Sequence, residues 1–215
     1  MAPRNAFDAD LHALSVSLIE MGQFATEAVE QAVRALFSQD KVAAKRIKEE
    51  DDMLDEMEHD IEQLCLRLLL KQQPVASDLR KISTAIKMIT DIERIGDHAA
   101  DIAEITLLLD VPVFPEMYDE LQKMAQAAQN MAKSATEAYV NGDLALARKT
   151  READDIVDAA FLKIRNILGE IIRTKPEQME AAMDYLMVIK YLERVADHAE
   201  NICEWVEYYM TGERG

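Results

Sequence analysis

Apolar residues recur every three or four positions along most of the chain, which is the spacing of one face of an α-helix. The first such stripe predicts a helix over residues 8–38 and consists of Leu11, Leu14, Leu18, Met21, Ala25, Ala28, Ala32 and Leu36. On the third predicted helix, the stripe begins at Leu79 and continues through Ile82. The same spacing predicts further helices over residues 41–72, 78–109, 116–140, 143–174 and 177–211.

The predicted helix ends coincide with residues that suit them. Asp40 and Asp143 precede apolar stripes, and a carboxylate at that position caps the first free backbone amides of a helix. Gly142 suits the left-handed conformation that often follows a helix. We therefore expect tight turns between the helices of each hairpin.

The second half of the chain repeats the first. Residues 93–98 read ERIGDH, and residues 193–198 read ERVADH, so a long internal repeat is present. Pro112 and Pro115 interrupt the helical pattern between the copies. The sequence therefore predicts an all-α protein of two tandem, pseudo-symmetric three-helix bundles with six long antiparallel helices, divided into units 1–110 and 116–215.

Composition excludes several classes of function. The formal net charge of −17 disfavours nucleic acid and anionic membrane surfaces as partners, and it fits cations or a basic partner. The same charge is also explained by solubility alone. Motifs for phosphate-binding loops, dinucleotide binding and zinc proteases are absent from the sequence.

The sequence also indicates a cytoplasmic location. Cys65 and Cys203 are far apart within helical patterns, which is typical of reduced, packed thiols. Residues 1–10 are polar and do not resemble a signal peptide. No run approaches the roughly 20 apolar residues that a membrane span needs.

Acidic residues fall in register across each predicted hairpin. With the turn at Pro74, the antiparallel register places Asp51 opposite Asp97. The same register places Asp55 opposite Glu93. In the second copy the turn falls at 175–176, and the matching residues are Asp154, Asp158, Glu193 and Asp197. The sequence therefore predicts two clusters of four carboxylates, and we take all eight residues as candidate metal ligands.

Carboxylates at this spacing repel one another by a few tenths of a kcal/mol per pair, so something should offset the repulsion. Bound cations are one answer, because all-oxygen sites favour hard ions such as Mg²⁺, Mn²⁺ or Ca²⁺ and also accommodate iron. Multinuclear binding fits so many acids, and the metal stays open among Fe, Mn, Mg and Zn. The other answer is that Arg94, Arg194 or solvent neutralises the clusters.

His98 and His198 each follow an aspartate of the repeat directly. Di-iron helical bundles place a histidine three residues after its glutamate, whereas His98 comes five residues after Glu93. That signature is therefore absent. Two roles stay open for each histidine: a ligand or neighbour of a metal, or a polar residue on a helix face.

At these residues the sequence resembles the PhoU family, the accessory regulators of bacterial phosphate uptake. The resemblance covers essentially the whole chain and rests on residues 73–80 (QPVASDLR), 91–97 (DIERIGD) and 193–204 (ERVADHAENICE). The second copy has Val195 and Ala196 where the family usually has Ile and Gly. Both replacements are small and apolar, so they leave the expected helix packing unchanged.

The resemblance implies two three-helix bundles and a repeated E(D)-x-x-x-D motif that binds multinuclear metal clusters. In this sequence the motif falls on the eight acidic residues that the hairpin register selects. It also implies a homodimeric, non-enzymatic protein that represses the phosphate-starvation response and links a phosphate ABC transporter to a sensor histidine kinase. Two alternatives remain: a carboxylate-bridged metalloenzyme on a helical bundle, and a metal-free scaffold with solubilising acids.

Overall fold

The computed structural model describes residues 3–71 and 74–213 of the chain. In these residues all regular structure is helical, as the sequence predicts. A short 3-10 helix (Pro176–Gln178) precedes the last of the helices, which are α1 (Pro3–Ser38), α2 (Lys41–Glu50), α3 (Asp52–Lys71), α4 (Ala76–Leu108), α5 (Tyr118–Asn141), α6 (Leu144–Glu152), α7 (Asp154–Thr174) and α8 (Met179–Thr211).

The predicted caps are present. Asp40 accepts hydrogen bonds from the amides of Val42 and Ala43 at 3.1 and 3.0 Å, which begins α2. Asp143 accepts one from the amide of Leu146 at 2.9 Å and begins α6 in the same way. Gly142 ends α5 in the left-handed region, with φ of 60°.

The six long helices predicted from the sequence are confirmed, but the second and fifth are each interrupted at one residue, which the sequence analysis did not predict. The first breaks at Asp51 between α2 and α3, and the other breaks at Ala153 between α6 and α7. At each break the chain makes a tighter turn, because the amide three residues onward bonds the carbonyl of the break residue. Acidic pairs lie here, and aspartate is unfavourable inside a helix but favourable in a first turn. Residue 72, the predicted end of the helix over residues 41–72, lies outside the described residues.

Helix α4 is buried on several sides, because it packs against α1, α2, α3 and α8. Gly96 lies where α4 meets α3, and a Cβ atom there would collide with the Leu54 side chain. Leu54 is itself 1% exposed, so the two helices approach closely at this point. Leu79, predicted on the apolar stripe of this helix, is instead 49% exposed, because it lies in the first turn of α4, and the stripe is first covered at Ile82.

One apolar core runs through both halves of the chain, since α4 packs on α8 and α1 packs on α5. The connection between the halves contributes to this core through four buried residues: Leu109, Val113, Phe114 and Met117. The hydroxyl of Tyr185 in α8 donates to the carbonyl of Val111 at 3.1 Å and anchors the connection. The division at 1–110 and 116–215 stays a prediction, and the chain between the two units is packed in the core.

We expect Gly142→Ala to lower the free energy of unfolding by about 1 kcal/mol, because a side chain at this left-handed position is strained. Gly169→Ala is the matched control. Gly169 lies inside α7, and a Cβ atom there would have nothing within 4 Å. We expect this control to raise the free energy of unfolding by up to about 1 kcal/mol through helix propensity.

Urea denaturation of both variants beside the wild type measures these changes. Equal effects of the two substitutions would contradict the left-handed role of Gly142.

Candidate metal centre

The first acidic cluster is formed where α3 and α4 approach each other. Asp55, in the first turn of α3, lies beside Glu93 and Asp97 of α4. Each of these residues offers one carboxylate oxygen, and the oxygens lie within 4.8 Å of one another. Asp55 is exposed, and the other two side chains are half-buried. The register predicted from the sequence thus brings these three carboxylates together.

Asp51 extends this cluster on its buried side. Burial, followed by the charges of Asp97 and Asp55, raises the pKa of Asp51 to about 6. Asp51 also lines a small cavity of about 30 Å³ that Glu27, Glu50 and Gly96 border. A fourth predicted ligand therefore lies in the electrostatic field of the first three.

Glu93 has a buried oxygen that no hydrogen bond satisfies. Its side chain is 15% exposed, and its Oε2 atom is buried without a hydrogen-bond partner. Burial raises the pKa of Glu93 to about 7, Asp97 adds to the shift, and Arg94 opposes it. Arg94 Nε lies 3.3 Å from Glu93 Oε2 without hydrogen-bond geometry, and Arg94 Nη1 donates to Asp97 Oδ2 at 2.7 Å. Arg94 is 54% exposed and covers the rim of the cluster.

Glu58 belongs to the first cluster, although the sequence did not predict it. Its charge contributes to the raised pKa of Glu93, and its Oε1 accepts a hydrogen bond from Thr90 Oγ1 at 3.1 Å. The sequence did indicate its position, because a hairpin register centred on Pro74 places Glu58 opposite Thr90. It was missed because Glu58 has no acidic counterpart in the second copy, where Phe161 stands.

The second cluster is arranged differently. Lys190 Nζ donates to Glu193, and its charge lowers the pKa of Asp197, which burial and Glu193 raise. Asp154 lies at the other end, where burial and the charge of Asp158 raise its pKa to about 6. Its Oδ1 is buried without a hydrogen-bond partner. Over residues 3–71 and 74–213, no set of three convergent ligand atoms includes these carboxylates.

The two repeated histidines lie between α4 and α8, with ring centroids 5.6 Å apart. His98 Nδ1 is 3.2 Å from Asp101 Oδ2, and His198 Nδ1 is 2.9 Å from Asp91 Oδ1. Both rings thus contact carboxylates outside the predicted ligand set. Their position favours a role in joining the two halves.

Asp91 is a further residue that the sequence did not single out. In addition to its contact with His198, it accepts hydrogen bonds from Asn201 Nδ2 at 3.0 Å and Trp205 Nε1 at 3.2 Å. Because Asp91 belongs to α4 and its partners to α8, this group holds the two halves together. The residue at the repeat position of Asp91 is Tyr191, so the repeat gave no signal for it.

The first cluster has the chemistry of a hard-cation site. Its oxygens converge from two helices, and such convergent carboxylates are the ligands that a hard cation prefers. Glu93 Oε2 is buried there without a hydrogen bond, with Arg94 Nε 3.3 Å away. Asp55, Glu93 and Asp97 would hold such an ion, with Asp51 and Glu58 adding negative charge around it. Metal binding at this cluster stays a prediction.

Comparison with known proteins identifies the family. A family model described as the PhoU domain matches residues 18–106 and again residues 121–206. The chain belongs to the PhoU family. The two PhoU matches lie on either side of the packed connection, so the tandem repeat predicted from the sequence is confirmed.

Similar PhoU-family proteins span nearly the whole chain. One from Clostridium acetobutylicum, named a phosphate-specific transport system accessory protein PhoU homolog, is 36% identical over 212 residues, covering 98% of this chain and 97% of its own. A relative of the same name from Pseudomonas aeruginosa is 32% identical over 207 residues, covering 96% of this chain and 86% of its own.

Two solved PhoU structures share the fold. The phosphate transport system regulatory protein PhoU from Streptococcus pneumoniae has a TM-score of 0.90 at 31% identity, with 97% of this chain and 99% of that chain covered. PhoU from Pseudomonas aeruginosa has a TM-score of 0.92 at 32% identity, with 96% and 100% covered. The described residues contain no helix long and apolar enough to cross a membrane.

We expect Glu93→Gln to stabilise the metal-free protein at about pH 8, by an amount on the order of 1 kcal/mol after solvent screening. Because folding raises the pKa of Glu93 from 4.5 to about 7, its ionisation destabilises the fold as the pH rises through that range. The gain should therefore vanish at about pH 4, where Glu93 is protonated in both states.

Urea denaturation in EDTA at both pH values tests this expectation. Glu56→Gln is the matched control, because Glu56 is an exposed residue of the same helix as Asp55. A gain of equal size at both pH values would contradict repulsion at Glu93.

Proposed function

We propose that this PhoU-family protein is a non-enzymatic accessory regulator of phosphate uptake whose first acidic cluster binds a hard metal ion. The proposal is supported by family membership over nearly the whole chain and by relatives named as accessory or regulatory proteins of phosphate transport. The single observation that carries the metal component is the convergence of Asp55, Glu93 and Asp97, whose offered carboxylate oxygens all lie within 4.8 Å of one another.

We extend the proposal to the pathway that the resemblance implies. The protein acts in the cytoplasm as a homodimer and represses the phosphate-starvation response when phosphate is plentiful. It does so by contacting the ATPase of a phosphate ABC transporter and a sensor histidine kinase. The strong negative charge of −17 favours basic surfaces on these partners.

The structure suggests how metal would matter to such contacts. Asp55 belongs to α3, whereas Glu93 and Asp97 belong to α4, so the ligand set spans two helices. A bound cation supplies positive charge that removes their mutual repulsion. With their carboxylates held, α3 and α4 keep one arrangement, and a partner recognises the surface that this arrangement presents.

Elemental analysis of protein purified without chelators or a nickel column tests the metal component. We expect wild-type protein to carry iron, manganese, magnesium or zinc, and Glu93→Gln to lose most of it, because that variant removes a buried ligand. Glu56→Gln should keep the wild-type metal content. If no metal binds even after soaking, the acids are a charged scaffold surface, and the metal component is wrong.

We expect affinity for the purified transporter ATPase to change at least about tenfold between metal-loaded and chelated protein, a coupling of about 1.4 kcal/mol. Titration calorimetry with and without EDTA measures this difference, and Glu93→Gln should behave as chelated protein in both conditions. Equal affinities in all samples would show that bound metal does not affect partner recognition. Light scattering of the same samples measures whether the protein is a dimer.

A further inference from the structure

The two acidic clusters have diverged at one pair of facing positions. In the first copy these positions hold Glu58 and Thr90, and in the second copy they hold Phe161 and Lys190. The structure confirms that each pair meets across its hairpin. Thr90 Oγ1 donates to Glu58, whereas Lys190 Nζ lies 5.7 Å from the centre of the Phe161 ring.

This exchange makes the second cluster less negatively charged than the first. The first cluster has its four repeat carboxylates, Glu58 and the guanidinium of Arg94, and the charge of Asp101 also acts on it. The second has its four repeat carboxylates, the guanidinium of Arg194 and the ammonium of Lys190, and the charge of Glu200 also acts on it. At the two facing positions the second copy has one carboxylate fewer and one cation more, which weakens its electrostatic attraction for a metal ion.

Lys190 also pairs with a carboxylate that an ion in the second cluster would need. Its ammonium donates to Glu193, which is 16% exposed, and its charge acts on Asp197 as well. The flat face of Phe161 favours a cation at this position. Arg94 also pairs with carboxylates, those of Glu93 and Asp97, but it is 54% exposed at the rim of the first cluster whereas Lys190 is 39% exposed, so Arg94 is the more easily displaced cation.

We propose that Lys190 is a built-in cation of the second cluster and restricts metal binding to the first. This inference rests on the proposed metal binding of the first cluster. Asp154 keeps an unpartnered buried oxygen in the second cluster. Lys190 neutralises the α8 side of that cluster, so that three free carboxylates no longer converge there. The repeat thus contains one metal centre and one permanently ion-paired counterpart.

Equilibrium dialysis with Mn²⁺ tests which cluster binds. When each substitution is made alone, we expect Glu93→Gln to abolish tight Mn²⁺ binding. We expect Glu193→Gln to leave the Mn²⁺ affinity unchanged within about twofold. Lys190→Thr, which installs the first-copy residue, should create a second class of Mn²⁺ sites that Glu193→Gln then removes. The reciprocal Thr90→Lys should weaken binding at the first cluster at least about tenfold, because it introduces the same cation there.

A second measurement does not depend on metal. In chelated buffer we expect Lys190→Met to lower Tm by about 2–4 °C, because the second cluster loses its counterion. The loss should be smaller when Glu193 is already Gln, since the repulsion is then reduced. Circular dichroism confirms that the variants are folded.

The outcomes separate the two proposals. Loss of half the bound Mn²⁺ in Glu193→Gln would overturn the role of Lys190 and leave the metal function standing. Absence of Mn²⁺ binding in wild-type protein would overturn the metal function. In that case Lys190 remains the counterion of the second cluster only if Lys190→Met lowers Tm as expected, and an unchanged Tm overturns the inference too.

Discussion

The close approach of α3 to α4 at Leu54 and Gly96 determines the chemistry of the first cluster. Leu54 precedes Asp55 in the chain, and Gly96 precedes Asp97, so apolar packing at one pair forces the neighbouring carboxylates together. Burying a leucine side chain contributes roughly 1.5–3 kcal/mol, which opposes the repulsion of the carboxylates. The core therefore holds the acids in an arrangement that they would not adopt alone.

Most of the fold follows from local signals in the sequence. The apolar stripes, the caps at Asp40 and Asp143 and the left-handed Gly142 define helices that the structure contains. The breaks at Asp51 and Ala153 were not predicted, because the apolar stripe continues through them. Only the preference of aspartate for a first turn indicates that a helix ends there.

The candidate site was predictable as far as the two copies agree. Register alone brought Asp55, Glu93 and Asp97 together, because facing positions in a hairpin are determined by the position of the turn. Glu58 and Lys190 were missed for the opposite reason, since each stands where the copies differ. Asp91 was missed likewise, because its partners lie on α8 and local spacing contains no information about contacts between the halves.

The packed connection through Val113 and Phe114 joins the two copies in one chain. In a symmetric dimer of half-length chains, the two copies would instead have identical sequences. In such an assembly, every substitution appears in both subunits, so a lysine introduced into one cluster also enters the other. When the two copies lie in one polypeptide, this restriction is absent, because a substitution in one copy leaves the other copy unchanged. In this chain the first copy has Glu58 and Thr90 where the second has Phe161 and Lys190, so the two clusters carry different charges within one molecule.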